Sequence, residues 1–431
     1  MSNEAKQDGQ TQDPWSWVEP AVWTKRMLQA LVNGVKGGKW FSLMDKVCAL
    51  PNLEASWQRV RRNKGAAGVD GQSVEQFAAQ AESSLKWLHD ELREGRYRPR
   101  PVRRQWIPKP GTNQHRPLGI PTVKDRIVQG ALRNALEPIF EKKFAEHSYG
   151  FRPRRSAKDA LRRVEQLLRA GYDHIVDADI TNYFDTIVRT ILMDEMKKEV
   201  ADGRVLELIE KFLEQSVMDG MKEWKPVGGT PQGAVISPLL ANIYLHSVDV
   251  AMQRTGFEMV RYADDFVILC KSEEDARKAL TLLSEEMAKL KLQLHPEKTR
   301  LVDLLNSEGF EFLGYHFHKH GKKPRKKSLM KFKDRVRELT PRNAGKSIEK
   351  TLTRLNSMLK GWFEYFKHGS KTTFEKLDSW IRRRLRAILI RFQHKRGIGR
   401  GSAHQRWPNA YFAKLGLFTM TTARAQAVQS R

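Results

Sequence analysis

The sequence predicts an α+β fold, a sheet-bearing body followed by an all-helical region, and three features carry that expectation. Ile175 to Ile180 (IVDADI) alternates apolar and polar residues as a half-buried strand does. Val260 to Cys270 (VRYADDFVILC) sets two apolar half-strands around a polar centre, the pattern of a hairpin. Beyond His316 the apolar residues recur at helical spacing. They are Ile348, Leu352, Leu355, Leu359, Trp362 and Phe366, then Leu377, Trp380, Ile381, Leu385, Ile388 and Phe392.

A chain of 431 residues exceeds one ordinary domain, so several are expected. Lys and Arg outnumber Asp and Glu by 77 to 50, a formal net charge of +27. That excess favours a polyanionic partner, with counterion release from phosphates supplying much of the affinity. Two cysteines, Cys48 and Cys270, exclude a disulfide framework and any multi-cysteine zinc finger. No apolar run is long enough to span a bilayer, and Met1 to Asp13 lacks the apolar core of a signal peptide. A soluble cytoplasmic protein, associated with nucleoid or ribonucleoprotein and with no membrane partner, is the expectation.

In chain order, the opening dozen residues read as disordered. Trp15 to Leu50 reads as a small helical extension whose tryptophans are either core or RNA platform. Gly65 to Gly71 (GAAGVDG) is a turn-rich loop ahead of a helix through Leu92. Pro99 to Pro121 suits strand and loop, and a helical pattern runs from Val123 to Phe144. Ser156 and Asp159 form a capping box for a helix that Gly171 ends. Ser237 with Pro238 marks a helix start, and Ser272 with Asp275 caps another that reaches about Leu292. The basic run from His318 to Lys331 is expected to link two domains.

Two adjacent aspartates at a hairpin tip repel each other unless something positive sits there. Asp264 and Asp265 are such a pair, and Asp179, with Asp177 and Asp185 nearby, is a second acidic cluster in a cationic chain. Hard divalent cations with oxygen ligands resolve the conflict, magnesium above all where phosphates supply further ligands. Two such ions about 3.5–4 Å apart would activate a hydroxyl nucleophile and neutralise a leaving pyrophosphate. Two aspartates in a turn are weak evidence alone, because turns favour Asp anyway.

The surrounding motifs supply the rest. Arg261-Tyr262-Ala263-Asp264-Asp265-Phe266 resembles the catalytic signature of reverse transcriptases, specifically those of bacterial group II introns. Gly68-Val69-Asp70-Gly71 resembles the family's N-terminal motif. Ile107 to Gln129 (IPKPGTNQHRPLGIPTVKDRIVQ) and Ser148 to Ser156 (SYGFRPRRS) resemble its finger motifs. Asp179 to Asp185 (DITNYFD), Thr230 to Leu245 (TPQGAVISPLLANIYL) and Phe312-Leu313-Gly314-Tyr315 resemble palm motifs in the same order. Gly233-Ala234 departs from the more frequent Gly-Gly, a small change for that loop. A length different from that of relatives is a second expected departure, in the segment between Lys109 and Arg116. The resemblance implies a right-hand polymerase, with fingers and palm of antiparallel sheet plus helices and an all-helical thumb.

Carried over residue by residue, the resemblance implies Asp179, Asp264 and Asp265 as the catalytic, metal-holding acids, with the Ile180 carbonyl nearby. Two Mg2+ ions, or Mn2+ as a substitute, would bind there. Lys109, Arg116 and Gln232 fall where the family contacts the incoming dNTP, and Arg152 where it contacts template or nucleotide. Phe184 stands where a bulky ring excludes a 2′-hydroxyl, with Tyr183 as the alternative gate. Asp177 and Asp185 are read as structural.

Leu355 to Phe366 (LNSMLKGWFEYF) resembles the core of domain X, the intron-binding thumb. Arg382, Arg383 and Arg386 would face primer–template or intron RNA, through backbone contacts that carry no sequence information. A merely solvated basic face is the plain alternative. Gly397 to Met420 resembles the short tail of relatives without an endonuclease module. The division expected is 1–60 extension, 61–320 fingers and palm, 321–395 thumb and 396–431 short basic DNA-binding-like tail. The implied function is an RNA-directed DNA polymerase of a group II intron, with intron RNA, an RNA template on a DNA primer, target DNA and dNTPs as partners. Alternatives are a free-standing relative with a repair or defence role, a splicing-only maturase, and an RNA-dependent RNA polymerase. The bulk of Phe184 speaks against the last.

Overall fold

The computed structural model describes residues 13–35, 37–108, 115–226, 228–230, 233–341, 347–393 and 401–429. They fall into two compact units. One runs to Leu301 except for the short stretch Asp173–Asp177, and the other takes that stretch and the chain from Val302 onward.

In the first unit, the N-terminal extension forms helices Lys25–Asn33, Met44–Cys48 and Leu50–Asn63. The last of these packs against helix Val123–Glu141. Gly130 permits that close approach, because a Cβ there would fall 3.1 Å from the Ser56 Cβ. Trp23 settles as core: it is buried and its indole N–H donates to the Asn134 carbonyl at 2.9 Å. Phe41, by contrast, stays exposed.

Strands β1 (Val102–Pro108) and β2 (His115–Ile120) pair as an antiparallel hairpin. Strand β3 (His174–Asp179) follows helix Ala157–Arg169. The expected capping box forms at that helix, with the Ser156 N–H donating to the Asp159 carboxylate at 3.0 Å. Strands β4 (Val217–Asp219) and β5 (Lys222–Trp224) extend the first hairpin into a sheet of order β2-β1-β4-β5. Helix Ser237–Arg254 begins at the Ser-Pro signal and is buried along nearly its whole length. Strands β6 (Glu258–Tyr262) and β7 (Asp265–Cys270) form the expected hairpin, and with β8 (Arg300–Asp303) complete a sheet of order β6-β7-β3-β8. Ser272 caps helix Glu273–Lys289, its hydroxyl accepting from the Asp275 N–H at 3.1 Å. Helices with antiparallel hairpins, joined by a parallel pairing of β1 with β4, make this an α+β body.

The second unit opens on β9 (Phe310–Phe312), β10 (Tyr315–His318) and β11 (Gly321–Pro324), all antiparallel. The run from His318 to Lys331, expected as a linker, is therefore the end of β10, strand β11 and the start of helix Lys326–Leu339. Side-chain chemistry explains the difference: Lys322 lays its stem over the sheet, with its ammonium 4.8 Å from the Tyr315 ring centre, so a basic run still makes a strand.

Helices Ile348–Phe366 and Lys371–Phe392 then bury the stripes read from sequence. Phe392 is the exception and is exposed. Trp407, Phe412, Leu417 and Met420 join the same core, so the C-terminal segment packs into the bundle. Buried Asp378 secures it by accepting from the Thr421 N–H at 2.9 Å, and Asn356 donates to the Gly416 carbonyl at 2.7 Å.

Candidate active site

The register of the β6–β7 hairpin pairs Tyr262 with Asp265 and leaves Ala263 and Asp264 as a two-residue turn. Ala263 adopts φ 61°, a conformation that costs a residue with a side chain about 1–3 kcal/mol. The turn thus lifts Asp264 off the ladder at a strained point. Asp265 opens β7 and is exposed.

Asp179 ends β3, and its charge reaches Asp264. The Asp264 carboxyl is pushed above the usual range, chiefly by burial and then by the negative charge of Asp179. Asp179 itself forms an ion pair with Lys298. Lys298 escaped the sequence reading, because a lysine in the stretch His295-Pro296-Glu297-Lys298 carries no pattern that singles it out among the 77 Lys and Arg of the chain. Among the described residues, no three His, Cys, Asp or Glu side chains stand close enough to form a ready-made metal cage. The donor set nonetheless suits a hard divalent cation: the strand-end carboxylate of Asp179 lies near enough to the turn for its charge to add to the effect of burial on the Asp264 carboxyl. Such an ion would displace the Lys298 ammonium from Asp179.

Ile180 is buried and bridges Leu294. The flanking bonds run from the Thr181 N–H to Gln293 O at 3.0 Å and from the His295 N–H to Asp179 O at 2.7 Å. Ile180 therefore sits at a non-hydrogen-bonded pair, with its own carbonyl turned away from the 293–295 segment.

The two candidate gate rings part company. Tyr183 is buried, and its hydroxyl donates to the Ala241 carbonyl at 2.5 Å. Phe184 is only half-buried, and its carbonyl accepts from the Thr230 N–H at 2.8 Å. Gly229 fits tightly there, since a Cβ would come within 2.8 Å of the Phe184 oxygen. Gly233 likewise approaches β2, with a Cβ position 2.4 Å from the Gly119 carbonyl oxygen and a backbone φ of 107°. These glycines let the Gly228–Thr230 and Gly233 backbones lie against residue 184 and the finger hairpin.

Arg116 is exposed on β2, paired in register with Ile107. Lys109 and Gln232 lie outside the described residues. Arg152 departs from the expected nucleic-acid contact. Its side chain is buried, pairs with Glu141 at 2.7 Å, and donates to the Ala145 and Ser148 carbonyls. A guanidinium satisfied inward on all sides holds the 145–152 turn instead of reaching a ligand.

The helical unit separates its arginines in the same way. Arg382 and Arg383 are half-buried on helix Lys371–Phe392. Arg386 is buried, donating to Trp407 O at 2.8 Å and Asn409 Oδ1 at 2.9 Å, so it fastens the C-terminal segment rather than facing a strand of nucleic acid. Arg384 donates to Thr340 Oγ1 at 2.9 Å.

An acidic strand end beside an acidic hairpin turn, with an aromatic ring at the neighbouring helix start, defines a polymerase palm. Residues 107–317 match the reverse transcriptase (RNA-dependent DNA polymerase) family. Residues 329–407 match the group II intron maturase-specific domain. Protein YkfC of Escherichia coli is 35% identical over 294 residues, covering 59% of this chain and 76% of that protein. Group II intron-encoded protein LtrA of Lactococcus lactis is 33% identical, covering 58% of this chain and 42% of that protein. Nuclear intron maturase 2 of Arabidopsis thaliana is 27% identical, covering 52% of this chain and 36% of that protein. The match thus spans less than half the length of the latter two. The chain belongs to the reverse transcriptases of the group II intron-encoded kind, with a maturase-specific domain after the polymerase. Among the described residues no helix is long and apolar enough to cross a membrane.

Proposed function

We propose that this chain copies RNA into DNA at the Asp179–Asp264 site and binds group II intron RNA to assist its splicing and mobility. The observations that carry the reading are the placement of Asp179 at the end of β3 and of Asp264 in the strained β6–β7 turn, both inside the stretch that matches the reverse transcriptase family, with the Asp264 carboxyl pushed up by burial and then by the charge of Asp179.

Asp179, Asp264, Asp265 and the Ile180 carbonyl would hold two Mg2+ ions, with Mn2+ as a substitute. When bound, these supply an activated primer 3′-hydroxyl and charge neutralisation on the leaving pyrophosphate. The chain's own groups do the remaining work. Arg116, with Lys109 and Gln232, would orient the triphosphate and stabilise charge that develops on it. The Phe184 ring would sit beneath the sugar and exclude a 2′-hydroxyl. Tyr183 is less suited to that role, because its hydroxyl is already engaged with the core. Arg382 and Arg383 would contact phosphates of the primer–template or intron.

The maturase-specific match favours an intron partner over a host repair or defence role. The test has two arms. The purified chain should extend a DNA primer on an RNA template with dNTPs and Mg2+, and should use NTPs poorly. It should also accelerate splicing of its cognate intron RNA at low Mg2+. Failure of the first arm, or equal use of NTPs, refutes the polymerase reading. Failure of the second alone removes the splicing role.

A further inference from the structure

The turn that carries Asp264 does not hold itself. Ala263 is strained at φ 61°, and its carbonyl, the atom group immediately ahead of the Asp264 nitrogen, accepts from Arg261 Nη1 at 2.8 Å. Arg261 is 2% exposed, so this bond is shielded from water. The same guanidinium is gripped from helix Ser237–Arg254: Asp249 accepts from Nε at 2.7 Å and also from Nη2, and Asn242 Oδ1 accepts from Nη1 at 3.0 Å. Asn242 and Asp249 stand seven positions apart, two helical turns, and so share one face.

A second strut closes from the other side. Asn242 Nδ2 donates to the Gly150 carbonyl at 2.8 Å. Gly150 lies flush on the turn, where a Cβ would fall 2.1 Å from the Ala263 nitrogen and 2.7 Å from the Tyr262 carbonyl carbon. The backbone beside it is tied to β6 through the Tyr149 N–H to Arg261 O at 2.8 Å and the Arg261 N–H to His147 O at 3.0 Å. Asn242 therefore touches both walls of the turn at once.

We propose that Arg261, Asn242 and Asp249, with Gly150, are positioning residues that fix the Ala263–Asp264 peptide and thereby set the divalent-ion affinity of the Asp179–Asp264 site. The proposal rests on the polymerase reading above. A buried ion pair used only for stability would need no bond to a turn carbonyl. Here the guanidinium turns one of its donors to the peptide that aims the acid. Groups that orient a metal ligand without touching the metal typically change affinity by 10–100-fold when removed.

The test compares the full-length chain with Asn242→Ala and Gly150→Ala. Mn2+ binding is read by the electron paramagnetic resonance of the free ion, with an RNA–DNA primer–template present. The Mg2+ concentration for half-maximal primer extension and the melting temperature are measured on the same samples. We expect Mn2+ affinity to weaken roughly tenfold in both variants and the Mg2+ midpoint to rise in parallel. Extension at saturating Mg2+ should recover most of its rate, and the KM for dNTP should change little. Folded variants with wild-type Mn2+ affinity and Mg2+ midpoint overturn the proposal, whatever their melting temperature. Loss of the cooperative melting transition in both variants assigns the network to folding and overturns it too. If the polymerase reading itself is wrong, the wild-type chain shows no Mg2+-dependent extension at all, a distinct result.

Discussion

The hairpin turn at Ala263–Asp264 and the helix Lys371–Phe392 each centre on a buried arginine, and the two do different work. Arg261 holds the strained turn that carries Asp264, one of the proposed catalytic acids, through the Ala263 carbonyl. Arg386 holds the Trp407–Asn409 segment against the bundle. Of the two, only Arg386 was expected from the sequence to touch nucleic acid. The difference teaches that residue type and motif identify where chemistry can occur, whereas burial and the identity of the acceptor decide which cation does it. Arg152, paired with Glu141, belongs with Arg386 in this respect.

The contrast can be broken most forcefully at the bundle. Arg386→Ala removes two buried donors and the guanidinium over Phe412, and should cost about 3 kcal/mol of stability. Arg383→Ala, on a half-buried side chain, should stay within about 0.5 kcal/mol in the same melts. It should instead lower the salt-dependence slope of nucleic-acid binding by about one phosphate contact. Equal stability loss in the two variants would erase the distinction.

Asp125 sharpens the comparison by showing a buried carboxyl bonded to the hydroxyls of Thr122 and Tyr97. Burial raises its carboxyl to about 6, against the pull of hydrogen bonds from Thr122 and Tyr97. The folded chain therefore keeps this proton longer than the unfolded chain. That advantage is complete below pH about 4 and is lost as pH rises through about 6, a change of roughly 3 kcal/mol at most. Urea melts between pH 4 and 7 should show this decline, and Asp125→Asn should flatten it. An unchanged slope in the variant would mean that Asp125 is ordinary.

The smallest effect concerns the rings beside the acids. Phe184→Val should reduce discrimination against NTPs by roughly ten- to a hundredfold in single-nucleotide incorporation. Tyr183→Phe, which deletes only the hydroxyl bound to Ala241, should leave sugar selection intact and cost about 1 kcal/mol of stability. Reversed outcomes would exchange their roles.

Much of this was legible from the sequence because local signals and tertiary demand agreed. The Ser156–Asp159 box, the Ser237-Pro238 start and the β6–β7 hairpin all formed where the pattern placed them. The bundle stripes were buried as their period required, save Phe392, which is the last residue of its helix. What escaped were facts about direction. Nothing in a single arginine reports whether its guanidinium points to solvent or to a carbonyl, so Arg152 and Arg386 were misjudged while Arg261 passed as mere flank of a motif. Lys298 was missed for the same reason: its pairing with Asp179 spans 119 positions of chain, and a one-dimensional pattern does not encode it. The His318–Lys331 run was read by charge, whereas the stem of Lys322 packed as an apolar group.

The account stands on the acids of the β3 end and the hairpin turn, and primer extension tests them most directly. A DNA primer on an RNA template, with dNTPs and Mg2+, is extended by the wild-type chain and by Asp264→Ala at matched RNA occupancy. The expected result is a loss on the order of a thousandfold or more in the variant, the scale of several kcal/mol of transition-state charge stabilisation, with RNA affinity unchanged. Extension by Asp264→Ala at the wild-type rate would contradict it.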